Sequence, residues 1–230
     1  MTSSSDMIST REEVNGLFQQ LGQVLNQSVE ALLIGGATML ELRLKDATKD
    51  IDVVCRNEED KELLLEAARA LGFQIIGPQK RHRRLGVNRL AVKGGRNLDI
   101  FAGRISYDFS LSQAIWQRAI RSRPYGSLVV RDAALEDIFI MKLIANRPGD
   151  AKDCAALFSA VLDYDSIYRE IEAQYRKEGD LEEKIWITYI EEGIGRLEDE
   201  YRLVFPIADS ISMPTAEYRE RLLQKLNELA

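Results

Sequence analysis

Two glycines and two aspartates, set at the ends of one short stretch of chain, are the residues best suited to chemistry. Gly35 and Gly36 follow an apolar run, and after thirteen intervening residues Asp50 and Asp52 flank Ile51 in a second apolar run. Glycines between a strand and a helix let the backbone approach a ligand closely, and the free N–H groups of a helix N-terminus suit a phosphate. The period of two along a strand sends both aspartates to one face.

Two carboxylates on one strand face lie roughly 6.5–7 Å apart along the backbone, and they repel each other unless a cation lies between them. Hard oxygen ligands of this kind suit Mg²⁺ or Mn²⁺. Each motif alone is common, since an Asp-x-Asp pair is usually a solvated strand face and a Gly-Gly turn is frequent. Together and in this order they predict a phosphate cradle beside a divalent-metal site, as needed to handle a nucleoside triphosphate.

The run GGATMLELRLKDATKDIDVV resembles the signature of the DNA polymerase beta-like nucleotidyltransferase superfamily, a glycine pair followed by Asp-x-Asp on the next strand. Within it, the segment Thr48-Lys49-Asp50-Ile51-Asp52 is similar to the AbiEii-like nucleotidyltransferases of abortive-infection and type IV toxin–antitoxin systems. That family has a third carboxylate on a later strand, and Asp99 between apolar neighbours matches it. The stretch 142–153 is similar to a Lys, Arg, Asp-x-x-Asp stretch in the helical half of those proteins. The resemblance covers roughly residues 28–160, and it departs at Asp46, where many relatives carry Arg.

The resemblance implies a metal-dependent nucleotidyltransferase that moves a nucleoside monophosphate from a nucleoside triphosphate, such as ATP, to a hydroxyl. The implied catalytic and metal-binding residues are Asp50, Asp52 and Asp99, holding two Mg²⁺ or Mn²⁺ ions. The implied nucleotide-binding residues are Gly35, Gly36, Thr38, Lys49 and Lys142. The implied partners are the triphosphate, an acceptor that is an RNA 3′ end (tRNA-like), a protein or a small molecule, and a cognate antitoxin protein.

Two other functions stay open at this point. One is a nucleotidyltransferase-fold module that binds nucleotide or a partner without turnover, although such a module has no need of three mutually repelling acids. The other is a metal-dependent phosphohydrolase, which the Gly-Gly turn disfavours. For Lys142, an ion pair with Asp150 or Asp153 is an alternative to a triphosphate contact, because an ammonium cannot be buried alone. For both of those aspartates we favour a structural or positioning role over metal binding.

The charge of the chain is unevenly distributed. The 230 residues are 45% hydrophobic and 30% charged, with a net charge of −6. The window 80–104 holds eight basic residues and one acidic residue, a local charge of +7 that leaves −13 for the rest. Its first cluster is either a polyanion contact or a charged hairpin edge, and consists of Lys80, Arg81, Arg83 and Arg84.

Composition excludes several classes of protein. Cys55 and Cys154 are too few for a disulfide framework, so both are expected to be reduced thiols in or near the core. The single histidine, His82, excludes most zinc sites and argues against a Ser-His-Asp apparatus. The polar start lacks a signal peptide, and no apolar run approaches the 18–20 or so residues of a membrane helix. We therefore expect a cytoplasmic protein without a membrane partner.

The helices and strands that position the glycines and aspartates can be predicted from the spacing of apolar residues and from helix-capping residues. Ser9-x-x-Glu12 predicts a capping box before a first helix, and Asn57 predicts the N-cap of another. Strands are predicted at 31–34, 50–54, 73–76, 85–92, 98–101 and 127–130, and only helices from Leu135 onward. The predicted fold class is α+β: a small mixed β-sheet palm with helices on one side, then a helical domain. The predicted boundaries are a catalytic domain at 1–131 and a helical domain at 132–230, with the site between them.

Overall fold

The chain folds into two compact units. The structure, a computed structural model, describes residues 8–77 and 89–229. The first unit comprises the described residues up to Ile105 together with Leu111–Ala134, and the second comprises Ser106–Ser110 together with the residues from Leu135 onward. The chain therefore passes between the units three times, and the second unit includes a short segment taken from the middle of the first.

A seven-stranded mixed sheet forms the centre of the first unit. The strand order is β3-β4-β5-β2-β1-β9-β8, and β2 runs parallel to β5 and antiparallel to β1. The strands of the sheet are β1 (Val29–Ile34), β2 (Asp50–Cys55), β3 (Gln74–Ile76), β4 (Leu90–Lys93), β5 (Arg96–Ala102), β8 (Arg121–Tyr125) and β9 (Leu128–Asp132). A separate hairpin consists of β6 (Arg104–Ser106) and β7 (Phe109–Ser110).

The apolar side chains of β2 define which face of the sheet is the core. Ile51 and Val53 belong to a buried cluster that also contains Phe18 of helix α1 (Arg11–Val24) and Leu64 of helix α3 (Glu58–Ala70). Because side chains alternate along a strand, this packing sends the even-numbered residues of β2 to the opposite face. Two short helices complete the unit, α2 (Gly35–Glu41) and α4 (Gln113–Arg118).

The second unit is built mainly from helices around α5 (Leu135–Ala145), which is buried on nearly every side. Helices α6, α7 and α8 pack against α5, and α9 packs against α7 and α8. These helices are α6 (Asp150–Phe158), α7 (Tyr164–Arg176), α8 (Trp186–Tyr201), which follows a 3₁₀ turn (Glu182–Ile185), and α9 (Ala208–Leu229). None of the described helices has the length and apolar character needed to cross a membrane.

The predicted α+β class is confirmed: a mixed sheet with α1 and α3 on one face is followed by a helical region. The Asn57 cap is also confirmed, since its side chain accepts a hydrogen bond from the Asp60 N–H. The predicted capping box is wrong by one residue. Thr10 is the N-cap and Glu13 closes the box, with the Glu13 carboxylate accepting from the Ser9 and Thr10 N–H groups.

Candidate active site

The glycine turn packs directly against the first carboxylate strand. Gly35 opens α2 with φ of +68°, in the left-handed region that favours glycine. A Cβ on Gly35 would lie 2.5 Å from Oδ2 of Asp52, and one on Gly36 would lie 2.6 Å from Oγ1 of Thr48. Both glycines are therefore required by the close approach of residues 48–52, in addition to any ligand contact.

The sheet register brings the three predicted carboxylates to one face. Asp52 of β2 pairs with Asp99 of β5 in the parallel ladder, and Asp50 pairs with Asn97. Paired residues of neighbouring strands point to the same face and lie about 5 Å apart. Asp99 is 2% exposed and Asp52 is 9% exposed, while Asp50 is half-buried. Two of the acids are thus side by side and buried.

Asn97 completes this group, and the sequence reasoning missed it. Its Nδ2 donates a hydrogen bond of 2.6 Å to Oδ1 of Asp50. The signal was present in the sequence, because Asn97 precedes Asp99 by two residues and therefore shares its strand face.

The backbone register, but not the present arrangement of the side chains, is compatible with a divalent metal at the three carboxylates. Across the described residues 8–77 and 89–229, no group of three or more His, Cys, Asp or Glu side chains is arranged to hold a metal ion. The register nevertheless aligns three carboxylates on one face of two adjacent strands, and carboxylate oxygens are the ligands that Mg²⁺ and Mn²⁺ prefer. The donor type therefore suits such a metal, but the three carboxylates would have to turn toward one another to share it.

The structure gives the other predicted nucleotide-binding residues of the first unit distinct surroundings. The Thr38 hydroxyl is buried and donates to the Leu33 carbonyl at 2.8 Å, so it holds α2 against β1. Lys49 is half-buried directly before β2. The hydroxyl of Thr48 donates to the Asp50 carbonyl at 3.1 Å, which fixes the start of the carboxylate strand.

Lys142 lies in the second unit, in the middle of α5, and it is an ion-pair partner. Its Nζ is 2.6 Å from Asp153 Oδ2 and 3.1 Å from Asp150 Oδ1. Burial by itself lowers the pKa of Lys142, but the two carboxylates more than offset this, so the pKa lies above its usual value. The ion-pair alternative is therefore confirmed, with both aspartates as partners. A triphosphate contact by Lys142 stays a prediction.

The basic cluster at Lys80, Arg81, Arg83 and Arg84 lies outside the described residues. Its contact with a polyanion therefore stays a prediction.

A second charged group on the first unit is structural. The carboxylate of Asp132, at the end of β9 and fully buried, accepts from Arg121 at 2.8 Å and from Arg123 at 2.6 Å. Arg123 also pairs with Glu41 of α2 at 3.0 Å and donates to Asn15 of α1 at 2.9 Å. This network ties the helix that follows the glycine turn to the edge of the sheet.

The two cysteines are free and buried, as predicted. Burial raises the pKa of both Cys55 and Cys154 to about 12. Both thiols are therefore protonated near neutral pH, which excludes thiolate chemistry at these positions.

A cleft of about 470 Å³ opens between α1 and the β4–β5 hairpin. Glu13 and Arg96, which pair at 2.6 Å, lie at its rim, and Phe73 and Leu17 supply apolar surface. Asn97 lines this cleft as well, but Asp50, Asp52 and Asp99 do not. This cleft therefore lies beside the carboxylate group and does not contain it.

Comparisons with known proteins find similarity only among solved structures. No protein-family model matches the chain, and no curated protein matches it. A crystal structure of ANT(2″)-Ia in complex with adenylyl-2″-tobramycin is similar, with 14% identity and a TM-score of 0.48, over 70% of this chain and 97% of that chain. A likeness of this size does not specify a substrate, so the residues of this chain must support any functional proposal.

Proposed function

We propose that the protein is a metal-dependent nucleotidyltransferase that transfers a nucleoside monophosphate from a nucleoside triphosphate to a hydroxyl acceptor. The observation that supports this most directly is the register of β2 and β5, which sets Asp52 beside Asp99 with Asp50 two residues away on the same face. The glycine turn lies against the same carboxylates, because a Cβ on Gly35 would meet Asp52. The glycine turn, which we propose binds phosphate, is thus adjacent to the acidic group.

In the proposed reaction, the acceptor oxygen forms a bond to the α-phosphorus. The bond from that phosphorus to the oxygen bridging to the β-phosphate breaks, and pyrophosphate leaves with the electron pair. Asp99 accepts the hydroxyl proton. Asp50 and Asp52, with Asp99, would hold two Mg²⁺ or Mn²⁺ ions. When bound, these ions would activate the attacking oxygen and neutralise charge on the leaving group.

The turn residues would bind the triphosphate through the backbone. Gly35 and Gly36 allow close approach, and the N–H groups of Ala37 and Thr38 would complete the cradle, since the Thr38 hydroxyl already donates to Leu33. Lys49, half-buried beside the carboxylate strand, would add positive charge. We retain Lys142 as a weaker candidate, because its two aspartates already account for its burial.

The acceptor is the least constrained part of the proposal. An RNA 3′ end, a protein hydroxyl and a small molecule all provide the required nucleophile, and a cognate antitoxin-like protein partner is proposed only from the family resemblance. The basic cluster at 80–84 supports RNA through its charge alone.

The test uses two labels in parallel. The full-length protein is incubated with each nucleoside triphosphate labelled at the α- or γ-phosphate, with Mg²⁺ or Mn²⁺ and total cell RNA or lysate. Transfer attaches the α label to an acceptor and releases labelled pyrophosphate from the γ-labelled substrate. Release of labelled inorganic phosphate would instead support a phosphohydrolase, and release of neither product would support a binding module.

Variants connect the activity to the carboxylates. Asp52→Asn and Asp99→Asn should each lower transfer on the order of 10³-fold, because metal-assisted charge stabilisation is worth several kcal/mol. Both should keep the fold, which a thermal melt checks. Asp165→Asn is the matched control, since that aspartate is exposed on α7 with only a 3.8 Å contact to Arg169. Wild-type turnover in Asp52→Asn would contradict the proposal.

A further inference from the structure

The two carboxylate strands carry matched but unequal polar patterns. Strand β2 reads Asp-Ile-Asp at 50–52, and β5 reads Asn-Leu-Asp at 97–99, in direct register. Of the four polar positions paired in this way, three are acids (Asp50, Asp52 and Asp99) and the fourth, Asn97, is an amide. That amide donates to Oδ1 of Asp50 at 2.6 Å, a short hydrogen bond for a nitrogen donor.

We propose that Asn97 is a positioning residue that fixes the Asp50 carboxylate for the divalent cation. This inference rests on the proposed function, because it assumes that Asp50 is a metal ligand. Partners that hold metal-binding carboxylates by hydrogen bonds set their orientation, and losing one typically costs 10–100-fold in metal affinity or activity.

At position 97 an amide suits the contact with Asp50 better than a carboxylate or an apolar side chain does. A fourth carboxylate would add charge beside Asp50 and could not donate a hydrogen bond when ionised. A leucine would fill a similar volume but would leave Oδ1 of Asp50 without this donor. Asn97 is neutral, is half-buried and is fixed by the ladder between β4 and β5, where it pairs with Val92. Its side chain is therefore held where the donor is needed.

The hydrogen bond to Asp50 distinguishes Asn97 from an asparagine with a purely structural role. Asn15 of α1 is half-buried in the same unit and accepts hydrogen bonds from Arg123 and Tyr125, in the network around Asp132. It does not belong to the group formed by Asp50, Asp52 and Asp99. Asn15→Leu is therefore a matched control that removes part-buried hydrogen bonds outside the group formed by Asp50, Asp52 and Asp99.

The experiment measures Mn²⁺ binding to the full-length protein by electron paramagnetic resonance, which needs no knowledge of the acceptor. Asn97→Leu should weaken Mn²⁺ binding 10–100-fold. In the Asp50→Asn background the same change should have an effect smaller than twofold, because its partner carboxylate is already gone. Asn15→Leu should lower the melting temperature and leave Mn²⁺ affinity per folded molecule unchanged.

The outcomes distinguish this inference from the proposed function. Unchanged Mn²⁺ affinity in Asn97→Leu, with normal binding by the wild-type protein, would overturn the positioning role alone. An equal loss in the wild-type and Asp50→Asn backgrounds would also overturn it, since the effect would not pass through Asp50. A wild-type protein that neither binds Mn²⁺ nor releases pyrophosphate would overturn the proposed function and this inference with it.

Discussion

Two sites, one in each unit, arrange buried charge in opposite ways. In the first unit the sheet register sets one carboxylate beside another, Asp52 beside Asp99. In the second, Lys142 lies between two carboxylates, and Lys184 donates to Asp108 at 2.9 Å and to the Lys177 carbonyl at 2.8 Å. Opposite charges in contact stabilise each other, whereas like charges in register repel each other.

The contrast lies between sites more than between units. The first unit also contains a matched network, in which Asp132 and Glu41 meet Arg121 and Arg123. That network joins α2 to β8 and β9. The carboxylates of β2 and β5 differ from that network in their arrangement, since the sheet register sets Asp52 beside Asp99. This group is where we propose the chemistry.

The largest expected effect comes from replacing Lys142, the buried lysine between Asp150 and Asp153 in the second unit. Lys142→Met should destabilise the protein by about 3–5 kcal/mol, because it leaves two buried carboxylates without that positive charge. Chemical denaturation measures the free energy of unfolding. If Lys142 is structural, nucleotide affinity per folded molecule should not change.

Two further variants make this result specific. Lys152→Met, at an exposed position on α6, should change the free energy of unfolding by less than about 0.5 kcal/mol. Asp153→Asn in the Lys142→Met background should recover part of the loss, since it removes one of the uncompensated charges. A loss of nucleotide affinity in Lys142→Met without a loss of stability would instead place this lysine at the triphosphate.

Much of the fold could be predicted because its central elements carry strong signals. The apolar runs of β1 and β2, the glycine turn between β1 and α2 and the Asn57 cap each depend on neighbouring residues alone. Strand β8 was missed, since its sequence RSRPY contains Pro124 and alternating charge, as edge strands often do. The capping box was misplaced because Ser9 and Thr10 both stand three residues before a glutamate.

Only part of the candidate site could be predicted from the sequence. Alternation along a strand shows which residues share a face, but the pairing of Asp52 with Asp99 and of Asp50 with Asn97 depends on the register between strands far apart in the chain. The assignment of residues 106–110 to the second unit is likewise a tertiary effect. Within that segment the Asp108 carboxylate accepts hydrogen bonds from Lys184 and Trp186, which lie far away in sequence.

The next variant tests whether the glycine turn and the carboxylates form one structure. Gly35→Ala should destabilise the protein by about 1–3 kcal/mol, because the residue has positive φ and its Cβ would meet the Asp52 carboxylate. It should also weaken Mn²⁺ binding by displacing that carboxylate. Gly16→Ala on α1 is the control: a Cβ there meets nothing within 4 Å, so stability should rise by about 0.5–1 kcal/mol.

Acid should weaken the second unit through Asp150. Burial by itself raises the pKa of Asp150, but Lys142 and Arg147 lower it more, so the pKa lies below its usual value. Its contribution to stability is therefore present above the unfolded pKa of about 3.9 and is lost as the pH falls through the lower folded value. Asp150→Asn should flatten the dependence of unfolding free energy on pH below about 4, and an unchanged slope would contradict the pairing.

The smallest expected effect concerns the basic cluster, where a local excess of positive charge would find its partner in another molecule. If Lys80–Arg84 guides a single-stranded polynucleotide, binding should fall steeply with salt, with a log–log slope of about −0.7 for each neutralised phosphate. Replacing Arg81, Arg83 and Arg84 together should flatten that slope by about two units and leave Mn²⁺ binding unchanged. Fluorescence anisotropy with labelled RNA over a salt series measures both slopes.

A wild-type slope near zero would remove nucleic acid as the acceptor, and the +7 window would then be a charged surface. A protein hydroxyl or a small molecule would remain as the nucleophile.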